Sequence, residues 1–143
     1  MPFPDDSSIE HLTLRMIDRS LPKAEWTHAG HFAAALWLLR YRENLTTPIE
    51  IRRLITRYNE ATNTANTDTS GYHHTITLAS MRAAADIHKR LGSETPLHVV
   101  LHTLMASDLG HHDWLMVYWS REVLFGLQAR RDWVEPDRAP LPF

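Results

Sequence analysis

Residues Phe32-Ala33-Ala34-Ala35-Leu36-Trp37-Leu38-Leu39 form an apolar run with no polar interruption. The surrounding segment, Lys23 to Glu43, is rich in good helix formers and carries apolar residues nearly all round a helical wheel. Such a helix has no solvent face, so other elements must cover it and it must stand at the centre of the fold. The run is too short to cross a bilayer, which needs about 20 apolar residues.

The remaining segments read as helices that would supply this cover. Ser7 and Glu10 form a capping-box pattern, followed by Ile9, Leu12, Met16 and Ile17 at helical spacing and by Pro22. Thr47-Pro48-Ile49-Glu50 combines a cap, a proline at the first helical position and a capping-box glutamate. Ile51, Leu54, Ile55, Tyr58 and Thr62 then make a buried stripe, which fades in the polar run 63–71. A fourth helix is expected from Tyr72 to Leu91, stopped by Gly92, and a shorter fifth from Leu97 to about Met105. Ser120 reads as the cap of a short helix, with another over Gln128–Trp133 and an extended, proline-containing tail. No stretch alternates as a strand would. The expected architecture is therefore a single all-α domain over residues 1–143. It is an antiparallel up-and-down bundle of four main helices with short extra helices and an extended C-terminal tail.

Composition limits the function. The net charge of −2 gives no basis for phosphate neutralisation, so neither nucleic acid nor an anionic membrane is an expected partner. The acidic, proline-broken start lacks the pattern of a signal peptide, and a cytoplasmic location is the default. The absence of cysteine removes disulfides and thiolate chemistry. Ten histidines are the conspicuous feature.

His28 and His31 share a helix face through three-residue spacing. At about 1.5 Å per residue they lie roughly 6 and 10 Å along a helix that starts near Lys23. His73 and Thr77 lie roughly 3 and 9 Å along a parallel fourth helix. The third helix runs back to bring Tyr58, Asn59 and Asn63 to the same level. The positive end of the helix dipole disfavours an imidazolium at His73 and leaves it neutral, as a ligand or base must be. His28, His31 and His73 are thus candidate ligands of one transition metal ion, Zn, Fe, Cu or Ni. Tyr58, Asn59, Asn63 and Thr77 would then be catalytic or substrate-contacting residues, and the metal would activate water, dioxygen or a carbonyl. Two other readings stand beside it. In one, a metal-free pocket binds a small-molecule ligand or substrate, with His73 as base. In the other, the chain is a structural or interaction protein whose Trp-rich C-terminal region packs on a second subunit as a homodimer.

The rival pair His98 and His102 has the spacing of a ligand pair but is expected about 15–20 Å in depth from His73. Asp108, His111, His112 and Asp113 are expected in a loop that returns toward the site, as solvated residues, a lid or the source of a fourth metal ligand. His11 and His88 are expected at the surface or rim.

Trp26-Thr27-His28-Ala29-Gly30-His31, Tyr58-Asn59 and the stretch Asn66 to Thr77, containing Gly71-Tyr72-His73-His74-Thr75-Ile76-Thr77, resemble an uncharacterised family of small bacterial helical proteins. The ending, from Tyr118 through Ser120-Arg121-Glu122 to Trp133-Val134-Glu135-Pro136-Asp137, is similar to that family as well. The resemblance covers most of the chain from Trp26 onward and implies no activity. Family members carry an acidic residue where His74 stands here. A more distant likeness to DinB-like four-helix metalloproteins is one of fold only.

Overall fold

The structure, a computed structural model, describes residues 2–143. Among these residues there are seven α-helices and no strand. They are α1 (Asp6–Ile17), α2 (His28–Tyr41), α3 (Pro48–Ala61), α4 (His74–Leu91), α5 (Leu97–Ala106), α6 (Arg121–Leu124) and α7 (Leu127–Arg131). Short 3-10 turns occupy Lys23–Glu25, Glu43–Leu45, Asp108–Gly110 and Trp114–Val117.

The all-apolar segment occupies the predicted place. α2 packs against α1, α4 and α5, and Phe32 through Leu38 are buried. Ile9, Met16, Leu97, Leu101 and Leu104 complete that core with almost no exposure. Burial of this continuous apolar surface is the main favourable term holding the helices together.

Helix starts follow the local chemistry, with three shifts from the sequence expectation. α1 is capped by Asp5, whose carboxylate accepts the Ser8 N–H at 2.8 Å, rather than by Ser7. α2 begins at His28, not at Lys23. The Thr27 hydroxyl accepts the Gly30 N–H and its own backbone is extended, so the chain before it turns as a separate 3-10 segment. α4 begins at His74 because His73 is itself the cap: its Nδ1 accepts the Ile76 N–H at 3.1 Å. α3 starts as expected, with Thr47 accepting from Glu50 and Pro48 in the first turn. Gly92 closes α4 at φ +90, and Ser120 caps α6.

α3 makes its main α-helical contacts with α1. Its inner face does not close onto α2 and α4, and a cavity remains between the three. From Asp132 onward the chain has no regular structure and is tied down by specific bonds. The Trp119 indole donates to the Val134 carbonyl at 2.9 Å, and Asp137 accepts the Ser120 N–H at 2.7 Å. No helix among the described residues is long and apolar enough to cross a membrane.

Candidate functional site

The cavity between α2, α3 and α4 has a volume of about 470 Å3, within the range of small-molecule sites. Ala34, Ala35 and Leu38 of α2 form one wall, and Ile51 and Ile55 of α3 face them. Two alanines in succession on α2 leave the space that larger side chains would fill. Thr77, Ser80 and Met81 of α4 line the third side.

His31 is the functional group least explained by folding. It lines this cavity, and its side chain is solvent-accessible at the cavity wall. Loss of hydration, reinforced by the nearby His28 and Lys23, pushes its pKa down to about 4. Among the described residues neither ring nitrogen has a hydrogen-bond partner. The indole of Trp26 lies against it, with ring centroids 4.2 Å apart, and Trp26 in turn meets Tyr58 edge-on at 5.4 Å. The imidazole is thus neutral at pH 7, held in orientation, and free to give or accept one bond at each nitrogen.

A polar rim continues from this point. The Lys23 ammonium donates to Asn59 Oδ1 at 3.1 Å and sits 5.5 Å from the centre of the Tyr58 ring. Asn59 Nδ2 donates to Asn66 Oδ1, which also accepts the Tyr72 N–H. Arg130 donates to the carbonyls of Gly71 and Tyr72 at 3.1 and 3.2 Å. Gly71, at φ +79 and pressed against Ala65 and Asn66, lets the loop turn tightly enough to make this chain of bonds.

The seven residues proposed from sequence divide in two. His31, His73, Asn59 and Thr77 line the one cavity. The others have different tasks. His28 donates from Nε2 to the Leu109 carbonyl at 2.9 Å and ties α2 to the 108–110 turn. The phenol of Tyr58 is fully buried and donates to the Leu21 carbonyl at 2.9 Å. Asn63 is exposed at φ +61, in the left-handed conformation that ends α3.

His73 also has a structural task. Its Nδ1 caps α4 and its Nε2 donates to the Leu124 carbonyl at 2.7 Å, so both nitrogens are occupied. Burial, chiefly, lowers its pKa and keeps it neutral. His73 has no free lone pair with which to act as base or ligand, and His28 is turned to Leu109. No group of three or more His, Asp or Glu side chains among the described residues is arranged to hold a metal ion. The residues present do not fit a three-histidine centre. Thr77 lines the cavity and donates to the His73 carbonyl at 2.7 Å.

The other histidines are accounted for locally. The His98 ring bonds the Asp6 carboxylate at 2.6 Å, and His102 donates to the Phe3 carbonyl at 2.9 Å, so this pair clasps the N-terminal segment. His88 accepts from Arg40, and His74 accepts the Tyr72 hydroxyl at 2.7 Å. His11, His111 and His112 are exposed.

Sequence reasoning missed Lys23, Trp26 and Arg130 as cavity residues. Lys23 and Trp26 lie in a segment read as regular helix, and Arg130 is brought in by the C-terminal turn from far along the chain. Comparison with protein-family models, with curated proteins and with solved structures returns no match.

Proposed function

We propose that this chain binds a small organic molecule in the α2–α3–α4 cavity, with His31 as its hydrogen-bonding anchor. The observation that carries the reading is the unpartnered, neutral imidazole facing a largely apolar space. The two buried histidines, His73 and His74, both have protein partners, whereas both nitrogens of His31 are left for a ligand at the cavity wall.

Binding suits the site better than acid–base catalysis. A general base works best with a pKa near the working pH. At about 4, the His31 imidazole holds too little affinity for a proton to drive abstraction at pH 7. It remains a good acceptor or donor of a single directed bond.

The test uses the neutral fluorescent probe N-phenyl-1-naphthylamine, whose emission rises in apolar surroundings. The expected result is saturable enhancement with one site per chain. Ala35→Phe, which fills the cavity from α2, weakens binding by about tenfold or more, the equivalent of one strong contact. Ser80→Leu does the same from α4. Unchanged titrations in both variants, each folded by circular dichroism, overturn the reading.

A further inference from the structure

The geometry points to an organic acid as the occupant: a monocarboxylate with an apolar tail, its head between Lys23 and Arg130 and its tail along α2 and α3. This inference rests on the pocket reading above and adds the ligand class.

Three observations carry it. The first is the sign of the charges on the wall. Lys23 and Arg130 both line the cavity, and no Asp or Glu does. The second is that neither cation is neutralised. Among the described residues, no carboxylate lies within ion-pair distance of Lys23 or Arg130, and the neighbouring Glu25 is turned to Arg15 at 3.4 Å. The Lys23 ammonium makes one bond to a neutral amide oxygen. Arg130 uses one of its two terminal nitrogens on carbonyls and has further N–H groups to give. A cation at a cavity wall that bonds only neutral groups keeps donors for a ligand anion, and a charge-assisted hydrogen bond to that anion is stronger than one to a neutral group.

The third observation is position. The two cations are not scattered round the cavity. Lys23 bonds Asn59, Asn59 bonds Asn66, Asn66 accepts from Tyr72, and the Tyr72 carbonyl accepts from Arg130. This unbroken chain links the two cations along the cavity lining, while Ala34, Ala35, Leu38, Ile51 and Ile55 contribute apolar wall. A site with a positive rim and an apolar body matches an amphipathic acid. It does not match a neutral hydrocarbon, which would leave the cations unpaired, or an amine, which they would repel. His31, free at both nitrogens, gives a carboxylate oxygen its third donor.

The test is calorimetric titration of the full chain with three ligands of equal length: octanoate, octanol and octylammonium. Octanoate is expected to bind about tenfold or more tighter than octanol, the ordinary worth of a charge-assisted hydrogen bond over a neutral one. Octylammonium is expected to bind most weakly. Raising the salt concentration weakens octanoate and leaves octanol unchanged. Lys23→Gln keeps the bond to Asn59, removes the charge, and brings octanoate and octanol together, while Lys23→Arg restores the preference. Equal affinity for octanoate and octanol in the native chain, or a preference for octylammonium, overturns the organic-acid assignment and leaves the pocket intact. Failure of all three to bind, with N-phenyl-1-naphthylamine also insensitive to Ala35→Phe, overturns the pocket as well. A preference for octanoate that Lys23→Gln leaves untouched overturns the placement of the head on this rim.

Discussion

The indole of Trp26 and the imidazole of His31 lie with centroids 4.2 Å apart, and His31, unlike His73, lines the α2–α3–α4 cavity with both ring nitrogens free. The contact encloses the ring on one side and aims it at the ligand space on the other. Enclosure, with the charges of His28 and Lys23, sets the protonation state. In a proton NMR titration, the His31 Cε1–H resonance is expected to move with a midpoint near 4. Trp26→Ala opens the ring to water and raises that midpoint toward 6.5, the ordinary value. A native midpoint above 6 contradicts the enclosed site.

The same depression makes stability depend on pH. In the unfolded chain His31 takes up its proton near 6.5, and in the folded chain only near 4. Between these values the unfolded state binds more protons, so stability falls as pH falls across this window and His31 adds no further loss below it. His73 and His74, also depressed chiefly by burial, act in the same direction. His31→Gln is expected to make the decline from pH 6.5 to 4 shallower than in the native chain, measured by urea denaturation at each pH. Parallel curves for the two proteins contradict the assignment.

His73 joins the start of α4 to the end of α6, and its removal is expected to cost stability before it affects binding. His73→Ala loses a helix cap and leaves the Leu124 carbonyl without its donor, together about 2–4 kcal/mol. His73→Asn keeps an acceptor for the cap and recovers about 1 kcal/mol of that loss. Chemical denaturation measures both. A His73→Ala protein of native stability contradicts the structural role.

Asp6 belongs to α1 but caps α5. Its carboxylate accepts the N–H groups of Leu97 and His98, at a helix start where Pro96 offers no side-chain cap. Burial works to raise the Asp6 carboxyl, but bonds from the His98 backbone and ring and from Leu97 outweigh it and hold it below the usual value. Its contribution is present above the ordinary carboxylate pKa and lost as pH falls through the lowered one. Asp6→Ala is expected to cost about 0.5–2 kcal/mol at pH 7, with the difference from the native chain narrowing in acid. Equal thermal midpoints at pH 7 contradict it.

Gly71 turns the loop that carries Asn66 and Tyr72. At φ +79, a Cβ would meet the Ala65 carbonyl and Asn66. Gly71→Ala is expected to destabilise by more than about 1 kcal/mol, because the left-handed strain adds to the clash. It should also weaken octanoate binding by breaking the chain of bonds between Lys23 and Arg130. Denaturation and calorimetry on one preparation check both effects.

The helical class, the central position of α2 and some helix limits, such as the start of α3 and the end of α4, were legible in the sequence, because their causes are local. A cap such as Thr47 acts on a residue three positions away, and an apolar segment such as Phe32 to Leu39 declares its burial by composition alone. His31, His73, Asn59 and Thr77 line one cavity, although α2 and α4 start later than the rise-per-residue estimate assumed. What each side chain does there was decided by tertiary structure. Whether His73 is a free imidazole or a strut depends on the Leu124 carbonyl, and whether His28 is available depends on Leu109. Both carbonyls arrive from distant segments, and no local pattern announces them. Lys23 and Arg130 stand on one rim only because Asn59, Asn66 and Tyr72 link them through space. Helix formation is written in spacings of three and four residues, whereas the pairing of one hydrogen-bond donor with one acceptor depends on how the whole chain closes.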